Sequence, residues 1–155
     1  MPVKPVPDGN HTVTPCLVAQ GAAKLIDFME KAFGATHAEP PVKRPDGAIA
    51  HAQMQIGDSR IMLGEARKPE EATSTMLYLY VKDCDAVFKQ AVAAGGTVIM
   101  EPVDMFYGDR SGGLKDAWGN QWWIATHVED VAPAELEQRM AAELAKRAAA
   151  EGGKG

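Results

Sequence analysis

Matching turns at a fixed spacing are the feature that most limits how this chain can fold. Gly34 closes an apolar helical stretch and so does Gly96, 96 − 34 = 62 residues later. Gly57-Asp58 separates two alternating stretches and so does Gly119-Asn120, with 119 − 57 again 62. Two copies of one supersecondary unit follow, each too small to bury its own apolar face, so that they share a core. In each copy the order reads strand, helix, strand, strand, strand.

In the first copy a strand is expected over 12–19 and a helix over 22–33, where Leu25, Phe28, Met29, Ala32 and Phe33 recur at helical spacing and Gly34 provides the stop. Strands at 35–42 and 49–56 flank the turn signal Arg44-Pro45-Asp46-Gly47, and a strand at 59–65 ends the unit. After a polar linker at 66–73 the plan repeats: a strand over 74–81 and a helix over 86–94, capped by Asp83 or Asp85 and closed by Gly95-Gly96. A strand at 97–101 is ended by Pro102. A glycine-rich loop occupies 105–113, and strands at 114–117 and 121–127 complete the unit. The domain thus spans 11–130, as repeat one (11–65), the linker and repeat two (74–130). It is preceded by a flexible N-terminus (1–10) and followed by a C-terminal helix (131–150), with Leu136, Met140 and Leu144 four apart, and a disordered tail (151–155).

The net charge of −5 offers no basic patch for nucleic acid or an anionic membrane, and no stretch has the roughly 20 apolar residues of a membrane span. Nothing at the start reads as a targeting signal, which makes a cytoplasmic protein the default expectation. Of the two cysteines, Cys16 reads as a small buried hydrophobe and Cys84 as a pre-helix residue between aspartates. Neither has a histidine nearby in sequence to make it a nucleophile.

Several segments resemble one family. The opening Thr12-Val13-Thr14-Pro15, the helix end Ala32-Phe33-Gly34-Ala35 and Ala50-His51-Ala52 are similar to the PhnB-like branch of the vicinal oxygen chelate (glyoxalase/bleomycin resistance protein/dioxygenase) superfamily. So are the stretches from Phe106 to Gly112 and from Asp116 to His127. The resemblance covers about 11–130. It implies an α+β fold in which two βαβββ repeats form an open eight-stranded cup with helices outside and a small-molecule ligand within, commonly as a homodimer.

Metal enzymes of that superfamily carry His, Gln or Glu on the first and last strands of each repeat, where a divalent ion can chelate vicinal substrate oxygens. The corresponding positions here fall on Thr14, Pro15 or Cys16, on Ile61 or Met62, on Thr75, Met76 or Leu77, and on Trp122 or Trp123. No His, Glu, Gln or Asp is among them. The expectation is therefore a binding protein without a metal cofactor. The alternative is a lyase, isomerase or dioxygenase whose divalent metal sits on rearranged ligands, His51 and Glu65. A third reading is a regulatory, partner-binding protein with a vestigial cup.

Candidate ligand contacts come from three places. On one strand His51, Gln53 and Gln55 alternate with Ala52, Met54 and Ile56, so this polar row either lines the cup or faces solvent or a partner subunit. Tyr107, Asp109 and Arg110 either grip a ligand carboxylate or phosphonate through the planar guanidinium, or form a structural turn in which Asp109 pairs with Arg110. Tyr78, with Met76 and Tyr80, alternates against Leu77 and Leu79. One of Trp122 and Trp123, taken as Trp123, faces the cup, and such aromatic and Met side chains suit a flat or apolar ligand.

Overall fold

The computed structural model describes residues 2–153. Its strands are β1 (Cys16–Ala19), β2 (Thr36–His37), β3 (Val42–Lys43), β4 (Ile49–Ile56), β5 (Ser59–Glu65), β6 (Met76–Tyr80), β7 (Thr97–Asp104), β8 (Asp109–Lys115) and β9 (Gln121–His127). Its helices are α1 (Ala22–Phe33), α2 (Cys84–Ala93) and α3 (Pro133–Gly152), with one 3-10 turn, Pro69–Glu71, in the linker. The first sheet has the order β1-β5-β4-β2 with β3 also on β4, and the second β6-β9-β8-β7. The expected eight strands become nine because the second strand of repeat one breaks into β2 and β3.

Each sheet has one face covered by helix and one open. Leu17, Ala52, Met54, Ile61 and Leu63 face α1, and Leu114, Trp122 and Ile124 face α2. The two helices pack on each other, and Phe33 of α1 stacks on Trp122 at 4.7 Å between ring centroids, so both repeats share one core. Gln90 of α2 reinforces the joint by donating to the carbonyls of Lys31 and Ala32.

Both helices start on a side chain delivered from the last strand of their own repeat. Gly21 opens α1 and has no side chain to cap it, so the Glu65 carboxylate accepts from the Gly21 and Ala22 N–H groups at 2.7–3.0 Å. In the second repeat Thr126 Oγ1 accepts from Cys84 N–H at 2.9 Å, while Asp83 caps Ala86. These caps fix the true equivalence of the halves. The helices correspond at 84 − 22 = 62, the last strands at 126 − 65 = 61. The halves differ in their final hairpin: two residues join Ile56 to Ser59, whereas five join Lys115 to Gln121.

Four expectations need correction. The stretch 105–113 is not one loop, because β8 starts at Asp109 and runs through Gly112 and Gly113. Those glycines serve close packing: a side chain at Gly113 would meet the Trp123 ring and one at Gly112 would meet Phe88 and Pro102. Strand β7 continues past Pro102, which an edge strand tolerates at the register shift between Met100 and Val103. Cys16 lies on the open face and is exposed, whereas Cys84 is the buried thiol. The first strand is shorter than expected, since residues 12–15 lie outside the ladder apart from one bond, Met62 N–H to the Pro15 carbonyl.

Helix α3 extends beyond the domain and buries none of its residues. It is tied back by Arg139, which donates to Glu129 and to the Phe106 carbonyl. The expected tail at 151–155 begins inside this helix, and Lys154 and Gly155 lie outside the described residues, as does Met1.

Candidate functional site

Between the first repeat's open edge and β6 lies a cleft of about 1120 Å³. One wall is built from residues 11–15 and the β4–β5 hairpin, including Arg60. The other is built from β6, including Tyr78 and Tyr80, with Thr126 and His127 at the end of β9. Cavities of this size and mixed lining suit a small ligand.

Across the open face of the second sheet, register brings together residues far apart in sequence. Tyr80 pairs with Ala125 and Ala125 with Ser111, while Asp109 pairs with His127. Ala125 and Ser111 are small, which leaves room for the tyrosine side chains to reach over the sheet. Tyr78 and Tyr80 both donate to Asp109 Oδ2, at 2.8 and 3.0 Å. His127 Nδ1 meets Asp109 Oδ1 at 2.9 Å and its Nε2 meets Asp130 at 2.7 Å. The Tyr107 hydroxyl stands 3.5 Å from that of Tyr78. Ser111 Oγ is buried with no hydrogen-bond partner among the described residues.

The electrostatics follow from those contacts. Asp109 is 3% exposed, and burial alone would raise its pKa. Donation from His127, Tyr78 and Tyr80 outweighs burial and holds the carboxyl below its ordinary range. Asp130 and then Asp109 raise the His127 pKa. Tyr78 is raised by burial, helped by Tyr107 and Asp109, and Tyr80 is raised chiefly by its bond to Asp109. The contacts favour an imidazolium, a carboxylate and two neutral phenols in this cluster.

A titration checks this. The imidazole ring protons of His127, followed by NMR, are expected to titrate above the ordinary midpoint near 6.5. Both Asp130→Asn and Asp109→Asn should lower that midpoint. The signs of the stability linkage differ between the partners. His127, with its raised pKa, contributes fully below the ordinary imidazole value, and its share is lost as pH rises through the raised value. Asp109, with its lowered pKa, contributes above the ordinary carboxylate value, and its share is lost as pH falls through the lowered one. The pair is therefore strongest between the two.

The candidate residues from the sequence divide between several places. Tyr78, Tyr107 and Asp109 come together, and Trp123 lies on the same face with its indole N–H on Gln121. Arg110, one residue after Asp109 on a strand, points to the opposite face. There it is held by Asp85 of α2 at 2.8 and 2.9 Å and by Asp104. It neither pairs with Asp109 nor reaches the cleft. His51 opens on a separate groove of about 390 Å³ on the first sheet, beside Arg44 and Gly64. Gln53 is buried under Asn10, to whose side-chain oxygen it donates at 3.0 Å.

Two members of the cluster, His127 and Ser111, were not among the candidate ligand contacts read from the sequence. The period-two pattern puts Tyr80 on the right face beside Tyr78, whereas nothing local in the sequence marks the Asp109 contact of His127 or the place of Ser111. The rearranged metal pair, His51 and Glu65, lines one groove but is joined by no third donor among the described residues. The Glu65 carboxylate is spent on the start of α1, and no group of three His, Cys, Asp or Glu among the described residues is placed to hold a metal ion. The donors present do not fit the divalent metal of the superfamily's enzymes.

The model of the Glyoxalase/Bleomycin resistance protein/Dioxygenase superfamily matches residues 10–124. An uncharacterized protein of Mycobacterium bovis is 33% identical over 142 residues, covering 84% of this chain and 93% of that one. A counterpart in Mycobacterium tuberculosis is equally identical over 83% of its own length. Among solved structures, TioX from Micromonospora sp. ML1 superposes with a TM-score of 0.64 at 21% identity, over 77% of this chain and all of that one. The PhnB protein of Bacillus cereus, named for a 3-demethylubiquinone-9 3-methyltransferase, gives 0.63 at 19% identity, over 75% of this chain and 99% of that one. A glyoxalase/bleomycin resistance protein/dioxygenase family enzyme from Burkholderia phytofirmans gives 0.61 at 20%, over 73% and 95%. At these identities the structures speak for a shared fold.

Proposed function

The chain belongs to the glyoxalase/bleomycin resistance protein/dioxygenase superfamily, and we propose that it binds a small organic molecule in the cleft between its two repeats without the superfamily's metal. The observation that carries this reading is the pair of tyrosines on the cleft wall, whose hydroxyls are both anchored on one buried carboxylate. Anchoring fixes the rings before a ligand arrives and reduces the entropy lost on binding. Tyr80 is 65% exposed and Tyr78 39%, an aromatic surface suited to a flat or apolar ligand body.

The same cluster argues for holding rather than for proton transfer. The phenols stay protonated, Asp109 accepts from three donors, and both imidazole nitrogens of His127 face carboxylates. Each of these groups is already engaged by a partner, so none is a free base. The methyltransferase in the name of the Bacillus cereus protein is not part of this reading, because this chain has no glycine-rich nucleotide loop. A homodimer in the cytoplasm is part of it. The uncovered helix α3 is a surface that a second copy would shelter, and no helix among the described residues is long and apolar enough to cross a membrane.

A ligand screen by thermal shift tests the proposal. A compound at about 100 times its Kd adds about 2.7 kcal/mol, a rise of roughly 5–10 °C in Tm for a chain of this size. Tyr80→Ala, which also removes one donor from Asp109, should lower the unliganded Tm by a few degrees and weaken that compound about tenfold or more. Hits indifferent to both Tyr80→Ala and Tyr78→Phe would sink the cleft as the site.

A further inference from the structure

Two arginines have no carboxylate partner among the described residues: Arg44, which donates to the Glu65 carbonyl, and Arg60, which lies on the cleft. Arg67, Arg110, Arg139 and Arg147 each carry a carboxylate partner within 4.0 Å. Arg60 is half-buried on the open face of β5, and among the described residues no carboxylate reaches it. Its Nε donates to Gln55 Oε1 at 3.1 Å, and its Nη1 donates to Asn10 Oδ1 at 3.2 Å. Gln53 Nε2 donates to that same Asn10 oxygen at 3.0 Å, and Gln53 is only 3% exposed. Two donors built into the sheet therefore converge on one oxygen.

That oxygen comes from a strap. Residues 2–10 form no helix or strand, and their other hydrogen bonds are internal: Asn10 N–H to the Pro7 carbonyl, and Lys4 to Asp8. Gly9 lies directly on the Arg60 guanidinium, where a side chain would overlap Nη2. The strap thus covers the Nη1–Nη2 edge of the guanidinium, the edge that grips a carboxylate with two parallel bonds. Arg60 also lines the cleft whose far wall holds Tyr78 and Tyr80.

We propose that Arg60 and Gln53 form a carboxylate subsite, and that the Asn10 carboxamide occupies it as an internal stand-in which an anionic ligand displaces. A neutral carboxamide oxygen satisfies the geometry of the two donors and leaves the guanidinium charge uncompensated. A carboxylate supplies both, and its two oxygens can meet the guanidinium edge with two parallel charge-assisted bonds where the carboxamide offers one acceptor oxygen. The inference rests on the cleft being the ligand site and adds the ligand's class: a carboxylic acid whose flat or apolar body extends toward Tyr78 and Tyr80.

Benzoate and its neutral isostere benzamide, titrated into the full chain and followed by NMR, test it. Asn10→Ala should bind benzoate about tenfold tighter than the unaltered chain, because the stand-in is gone. Adding Arg60→Gln to that variant should remove the gain, and Arg60→Lys, which keeps the charge but lacks the fork, should fall between. Benzamide should show no such pattern. Equal affinity for benzoate and benzamide in Asn10→Ala, no gain over the unaltered chain, or indifference to Arg60→Gln would each overturn the subsite. The cleft reading is judged separately by Tyr80→Ala against the screened ligand, so either can fail without the other.

Discussion

Replacing Asp116 with alanine is expected to cost about 3–5 kcal/mol of stability, because it removes the shared acceptor of four N–H donors, each orphaned buried donor costing about 1–3 kcal/mol. Asp116 is buried in the five-residue turn between β8 and β9. Its Oδ1 accepts from the Trp118 and Asn120 N–H groups, both at 2.9 Å, and its Oδ2 accepts from Asn120 Nδ2 at 3.0 Å and Trp122 Nε1 at 2.8 Å. Trp122 is wholly buried and is the ring on which α1 and the second sheet meet. Alanine would leave its indole N–H, and those of Asn120, without an acceptor, each at about 1–3 kcal/mol before water relieves some of them. Asn120 also accepts from Thr75 N–H, so the damage would spread to the start of β6 and hence to Tyr78. Thermal unfolding should show a fall in Tm of about 10 °C or more, against little change for the exposed Glu137→Ala. Asp116→Asn, which keeps an acceptor oxygen and loses the charge, should fall between. A fall no larger than that of Glu137→Ala would mean the turn holds its shape without the carboxylate.

What could be read from the sequence is what local pattern encodes. Apolar spacing and Gly34 placed α1 at its observed bounds, and strand alternation put Met54 inside with Gln53 opposite, and Trp122 inside with Trp123 opposite. The repeat was legible because both halves need the same turns, although its last strands correspond at 61 rather than 62. That one-residue difference appeared only when Glu65 and Thr126 were seen capping equivalent helices. Glycine misled where it meant close packing: Gly112 and Gly113 read as loop, yet they let Phe88 and Trp123 approach β8. Taking that stretch as a loop made Asp109 and Arg110 look like partners, whereas consecutive residues of a strand must face opposite sides. The site itself was hidden for a different reason. Its bonds join residues 18 to 31 positions apart, Asp109 to His127 and to Tyr78, through the register of β6, β9 and β8. Asn10 on Gln53, 43 positions away, is the same kind of contact, and nothing in a polar, proline-containing N-terminus announces that it lies across a sheet.

Gly108→Ala should disturb the cluster without altering any side chain in it. Gly108 has φ +99, where alanine is strained, and a β-carbon there would run into the Glu129 carbonyl oxygen. That carbonyl cannot move away freely. The Gly108 carbonyl accepts from both Val128 and Glu129 N–H, at 2.9 and 3.0 Å, and Arg139 of α3 holds the Glu129 carboxylate. Either the 105–108 turn or the exit from β9 must give way, at a cost of about 3 kcal/mol or more when left-handed strain and backbone overlap combine. Asp109 follows Gly108 and His127 precedes Val128, so this displacement separates the two groups that charge each other. The expected results are a lower Tm, a His127 midpoint that falls toward the ordinary imidazole value, and weaker binding of any ligand that depends on Tyr80. Asp109→Asn should also lower the midpoint, but by removing the charge while leaving the backbone in place. A Gly108→Ala protein with an unchanged His127 midpoint would mean that Tyr78 and Tyr80 alone hold Asp109 in place. The clamp between the turn and the end of β9 would then serve α3, not the binding site.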